Sequence, residues 1–148
     1  MVFLKRIAGN EKGTTIIEFA IVAPLLFILL FGTIDFALLL YNKAVITNSS
    51  REGARYGIVA RTDRYTEAEI TVEVLKYCQD RLITFGDIAD PTVTAVVKDV
   101  NGNGATDFGD NLEINVNWTY AFLAFPDLPG IGFDDEINLS AKTVMKYE

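Results

Sequence analysis

Two sets of residues in this chain have the types and spacing to do chemistry, and both are acidic. The first is Asp99-Val100-Asn101-Gly102-Asn103-Gly104-Ala105-Thr106-Asp107-Phe108-Gly109-Asp110, which follows the D-x-[DN]-x-[DN]-G pattern of loops that wrap a calcium ion. In such a loop the expected ligands are Asp99, Asn101, Asn103, the carbonyl of Ala105, Asp107 and Asp110, and Gly104 takes the sharp turn. Three carboxylates give a hard cation its charge, with oxygens at about 2.4 Å and an affinity suited to millimolar external calcium. The last position is Asp where an EF-hand has Glu, and the flanks read as strands, so the run is no EF-hand. The same residues also fit a hairpin turn, because Asn-Gly is the strongest short hairpin signal and occurs here twice. Calcium loop and hairpin turn are both open readings of the sequence, the loop being longer than a hairpin needs.

The second is a lone carboxylate, Glu18, at the head of an apolar run that continues from Phe19 to Tyr41. A charge in the middle of a bilayer costs about 2.5–3.5 kcal/mol on insertion scales, and such groups have a partner or a function. Other chemistry is scarce. The chain has no histidine, which removes the usual general base at neutral pH, the Ser-His and Cys-His pairs and the commonest zinc ligand. No pair of carboxylates stands out as poised for acid–base work, so the composition argues against an enzyme. Cys78 is the one cysteine, so no disulfide forms within the chain. Its place on an apolar helix face reads as a small buried hydrophobe.

The elements that must position these groups are legible from periodicity. Phe19 to Tyr41 is interrupted by Pro24, Gly32, Thr33 and Asp35, and as a helix it reaches about 34 Å, enough to cross a bilayer. Lys5, Arg6 and Lys12 precede it, so the positive-inside bias puts the N-terminus in the cytoplasm and the residues after Tyr41 outside. The run is too long for a secretory signal and no A-x-A-like site follows it. No proline breaks the register between Tyr41 and Arg61, which predicts one rod of about 45 residues and about 70 Å. Gly53 and Gly57 are weak points, each costing about 1 kcal/mol in a helix. With Ala54 they would allow close packing, against the chain's own sheet or against another subunit. Arg51 and Arg55 share a helix face that reads as solvated or as a sheet rim.

A second helix starts at Thr66, with Glu69 completing a capping box, and carries Ile70, Val74, Tyr77, Cys78 and Leu82 on one face. From Thr92 the period changes to two: Val93, Ala95, Val97; then Leu112, Ile114, Val116, Trp118, Tyr120, Phe122; then Ile137, Leu139, Ala141, Thr143. These predict three antiparallel strands packed on the helices, with the aromatic stripe Trp118, Tyr120 and Phe122 as the core face, or alternatively as a surface for a glycan or partner. The fold class is α+β: a long transmembrane helix continuing into a small external domain with a second helix and an antiparallel sheet of three or more strands. The net charge of −7 falls in that domain, since residues 1–41 carry equal numbers of acidic and basic side chains. An acidic domain repels nucleic acid and anionic lipid headgroups and favours cations.

The leader and helix head, Lys12-Gly13-Thr14-Thr15-Ile16-Ile17-Glu18-Phe19, resemble a class III prepilin signal. That resemblance implies a cut by a prepilin peptidase between Gly13 and Thr14 on the cytoplasmic side. It also implies a salt link from Glu18 to the free amine of a neighbouring subunit, with Phe19 beside it at the helix head. The block Ser50-Arg51-Glu52-Gly53-Ala54-Arg55-Tyr56-Gly57, the strand start Gly109-Asp110 and the C-terminal Leu139-Ser140-Ala141-Lys142-Thr143-Val144-Met145-Lys146-Tyr147-Glu148 extend the likeness. Together they resemble the TadE-like pseudopilins of the tight-adherence (Flp) pilus machinery.

The expectation is a leader at 1–13, a transmembrane helix at 14–41 and an external TadE-like domain at 42–148. The chain would be a non-catalytic minor pilin or pseudopilin, single-pass in the cell membrane. Its partners would be other pilin subunits, the prepilin peptidase and the membrane, with no nucleic acid and no small-molecule substrate. The rival reading is a calcium-dependent surface-binding module that uses the helix only as an anchor. A carboxylate-based envelope enzyme is a third class, without a poised acid pair to support it.

Overall fold

The structure is a computed structural model of the chain, and it describes residues 11–59, 64–85, 89–123 and 136–147. Lys5 and Arg6, read above as part of a leader, lie outside the described residues. The described elements are α1 (Glu11–Gly57), α2 (Glu67–Cys78), β1 (Thr92–Lys98), β2 (Asn111–Ala121) and β3 (Glu136–Lys146). The strands form one antiparallel sheet in the order β1-β2-β3.

The single rod expected from the sequence is present: α1 runs 47 residues without a break, through Pro24 and Gly53, and stops at Gly57. Its two halves live in different surroundings. Side chains from Ile16 to Ile34 project away from the rest of the chain. From Asp35 onward the buried positions are Asp35, Asn42, Val45, Ile46, Ser49, Ser50, Gly53, Ala54 and Gly57, related by steps of three, four and seven residues. That spacing is one face of a helix, and it lies along the sheet.

The capping box at α2 forms as read. Thr66 accepts from the Glu69 backbone N–H, and the Glu69 carboxylate receives the Thr66 backbone N–H at 2.8 Å. Ile70, Val74 and Cys78 are the buried stripe, while Tyr77 is only half-buried, with Arg81 over its ring. Burial pushes the Cys78 thiol up, in keeping with a structural hydrophobe. Every second residue of β2, from Leu112 to Tyr120, is buried, so the aromatic stripe is core as expected. Leu139 and Ala141 of β3 stand opposite Trp118 and Val116, and Ala95 of β1 opposite Ile114.

Gly53 and Gly57 pack inside the chain rather than against another subunit. A Cβ on Gly53 would lie 2.2 Å from Val74 Cγ2, and one on Gly57 would lie 2.4 Å from Leu112 Cδ2. Hydrogen side chains therefore let α1 approach both α2 and β2. Gly53→Ala sets a helix-propensity gain of about 1 kcal/mol against overpacking of about 1–3 kcal/mol. Val74 is fully buried and branches close to its backbone, so it cannot swing aside. The expected result is a net loss of about 1 kcal/mol, seen as a lower denaturation midpoint with unchanged slope. A raised midpoint would show that Val74 has room to move.

On the opposite face of the sheet, Glu113 of β2 receives Lys98 of β1 at 2.8 Å and Lys142 of β3 across the other edge. Hydrogen bonds from Lys142 and Lys98 pull its carboxyl from an ordinary 4.5 down to about 2. A depressed folded-state value stabilises the fold above pH 4.5 and loses that contribution as pH falls toward 2. Glu113→Gln should therefore flatten the fall in unfolding temperature across that acid window. Because both lysines are more than half exposed, the contribution is screened, so the loss at neutral pH and the flattening in acid should be equally modest. An unchanged acid profile in the variant would mean that other carboxylates dominate it.

Candidate assembly site

The bare half of α1 is a surface of hydrocarbon. Ile16, Phe19, Ile21, Leu25 and Leu29 are each about two-thirds or more exposed, and no part of the most apolar 18-residue window is buried. The helix is long and apolar enough to cross a membrane. Pro24 removes one N–H from its ladder, which transmembrane helices tolerate. Near its end the Thr33 hydroxyl turns inward and donates to the Leu29 carbonyl at 2.7 Å, so it presents no unpaired donor to an apolar medium. Gly13 and Thr14 lie in the first turns of this helix, with Glu18 exposed one turn beyond Thr14. Phe19 is 70% exposed next to it. Among the described residues no ion pair reaches Glu18.

The change from bare to docked helix is made by Asp35. Its side chain is fully buried, and it accepts from the Tyr120 hydroxyl at 3.1 Å and the Leu123 backbone N–H at 2.9 Å. Burial, then the hydrogen bond to Asp35, pushes the Tyr120 phenol up to about 12, so it keeps its proton and always donates. Two turns on, Asn42 pairs with the backbone of Ile83 in both directions, at 2.7 and 2.9 Å. Lys43 reaches the Ser140 carbonyl, and Ser50 meets Thr143 at 2.7 Å. Together these fix the angle at which the apolar rod leaves the domain.

Neither Asp35 nor Asn42 stands out as functional in the sequence, where Asp35 reads only as an interruption of the apolar run. The available signal is that a carboxylate at that point needs a partner. Its partners are 85 and 88 positions away, beyond any local pattern.

The Asp99–Asp110 loop lies at the other end of the domain, between β1 and β2. Asp99, Asn101, Asn103, Asp107 and Asp110 do come together in one loop, held by its own hydrogen bonds. Asp99 accepts the Gly102 and Gly104 N–H groups at 2.6 and 2.7 Å, which hold its carboxyl below the usual range. Asn101 and Asn103 direct their amide nitrogens to the two oxygens of Asp107, at 2.8 and 2.5 Å. Their own oxygens accept from the N–H groups of Asn103 and Ala105. Asp110, buried, ties the base through Val100 and Asp107, both at 2.9 Å. Gly102 and Gly104 have φ of 75° and 77°, the left-handed region that glycine enters freely. Among the described residues no three His, Cys, Asp or Glu side chains gather as a metal-holding group.

Comparison with known proteins bears on the helix rather than the loop. A family model described as TadE-like protein matches residues 13–55. That stretch takes in the bare half of α1, the Asp35 junction and nearly all of the helix docked on the sheet. No curated protein and no solved structure gives a significant match.

Proposed function

From a chain that is TadE-like over residues 13–55, we propose a membrane-anchored, pilin-like structural subunit of a Flp/Tad-type pilus, a minor pilin or pseudopilin. The family supports association with the Tad pilus and a structural, non-enzymatic role. The observation that carries the finer reading is the bare half of α1 with Glu18 exposed upon it. A helix with no buried side chain from Ile16 to Ile34 needs an apolar medium or apolar neighbours.

The chain crosses the membrane once, with Lys5, Arg6 and Lys12 on the cytoplasmic side and the sheet domain outside. The prepilin peptidase cuts between Gly13 and Thr14, leaving an amine on Thr14. Four residues of helix separate that amine from Glu18 by about 6 Å. A neighbouring helix staggered by one turn brings an amine to the Glu18 carboxylate of the next subunit, which neutralises both charges in lipid. Phe19 and the exposed aliphatic side chains pack between the helices.

Cysteine cross-linking in native membranes tests this. Ile21→Cys puts a thiol on the bare helix, while Cys78 is buried and does not compete. Oxidation in cells carrying matched cysteines in the other pilus subunits should give a mixed disulfide with one of them. Monomer alone at every such pairing would contradict the proposal.

A further inference from the structure

The end of the domain from which the bare helix emerges carries its own apolar side chains, and the Asp35 junction sets their level. Leu123 is fixed there by its N–H on Asp35, and Ile83 by its backbone pair with Asn42. Phe85 follows Thr84, whose hydroxyl accepts the Ala121 N–H at 3.0 Å. Ile137 stands opposite Tyr120, the other partner of Asp35. Ile83, Phe85, Leu123 and Ile137 are 42, 47, 43 and 40% exposed, and beside them Phe36 and Leu40 of α1 are 62 and 52% exposed. Three separate segments thus present apolar groups around the helix, over the two turns from Asp35 to Asn42. The far end of the domain also exposes Val100 and Phe108, but these sit within the acidic loop, away from the apolar rod.

The height matches a bilayer boundary. Residues 14–34 number 21 and span about 31 Å as a helix, against a hydrocarbon core of about 30 Å. Asp35 then stands at the edge of the core, where its carboxylate is already buried and hydrogen-bonded. The surrounding side chains fall in the headgroup layer, where amphipathic surfaces bind by burying apolar area about 5–10 Å deep. Glu136, exposed and opposite Ala121, lies on the same rim and can stay hydrated among headgroups.

We propose that this apolar collar seats the domain in the interfacial layer of the bilayer that α1 crosses, so that phospholipid is its partner and the domain is not free to swing on its helix. The proposal rests on the reading of α1 as a membrane anchor, and its test separates the two. Single cysteines at Phe85, Leu123 and Ile137, with Leu25 in the span and Val144 at the far end, are spin-labelled in the full-length chain. Cys78 stays in place, since it is buried. The chain is reconstituted in phosphatidylethanolamine–phosphatidylcholine vesicles, whose zwitterionic headgroups do not repel the acidic domain, and each label's collisions with oxygen, which enters lipid, are compared with those with a water-soluble nickel chelate. The oxygen-to-nickel ratio at the three collar positions should exceed that at Val144 severalfold and fall below that at Leu25. Collar labels that match Val144 while Leu25 lies in lipid would overturn the collar and leave the anchor standing. Collar labels shielded from both reagents would overturn it in favour of contact with a second protein copy. A Leu25 label as aqueous as Val144 would overturn the anchor and the collar together.

Discussion

Glu18→Ala should leave the chain inserted in the membrane while cutting the fraction found in filaments by up to about two orders of magnitude. An unpaired carboxylate at the middle of a bilayer costs about 2.5–3.5 kcal/mol, which is the upper limit for Glu18 one turn inside the edge, and pairing with a neighbour's amine returns the cost when the subunit joins. Since every 1.4 kcal/mol is about tenfold in an equilibrium, losing the pair removes up to roughly a hundredfold of the drive to assemble. The same change makes the lone helix easier to insert, so membrane levels should hold or rise. That opposition separates an assembly defect from an unstable subunit. Glu18→Gln should behave like the Ala variant if charge is what matters, and Glu18→Asp should recover part of the loss. Immunoblots of filament and membrane fractions give the comparison. An Ala variant that enters filaments at the normal level would remove charge pairing from the account.

The second large effect is expected at Asp35. Its side chain is fully buried and holds Tyr120 and Leu123. Asp35→Ala leaves both donors without this acceptor, and each orphaned group costs about 1–3 kcal/mol. A loss of about 3–5 kcal/mol is expected, a large share of a domain stability of about 5–15 kcal/mol. Asp35→Asn keeps an acceptor and should cost less. Tyr120→Phe removes one donor with its partner still bonded to Leu123, and should cost about 1 kcal/mol. Measured by denaturant unfolding of the full chain in detergent, the double variant Asp35→Ala, Tyr120→Phe should be less destabilised than the two singles combined, because both act on one bond. Simple additivity would place the cost of Asp35→Ala somewhere other than this hydrogen bond.

The reading from sequence succeeds where the physics is local. The capping box at Thr66 and Glu69, the alternation from Leu112 to Tyr120 and the unbroken rod of α1 each follow from residues within a turn or a pleat of one another. What the sequence hides is how the rod meets the sheet. Gly53 admits Val74 and Ile114, and Asp35 waits for Tyr120; such pairs become neighbours only after α2 and β2 fold back along α1. Composition divides the chain after Tyr41, where the apolar run ends, whereas contacts with the sheet begin at Asp35. A polar residue that satisfies itself on a distant strand looks, in the sequence, like a flaw in a membrane span. The loop is an intermediate case. Its Asx residues and glycines are legible as a turn or a calcium cradle, and in the structure their oxygens serve one another and the loop backbone.

Pilin-type processing is the central claim, and the N-terminus of the chain recovered from its native membrane tests it most directly. Intact mass and N-terminal sequencing should find a chain that starts at Thr14, with the amine that Glu18 of a neighbour requires. A chain that keeps Met1 and the basic leader would contradict the account, leaving an anchored domain with no terminal amine within reach of Glu18.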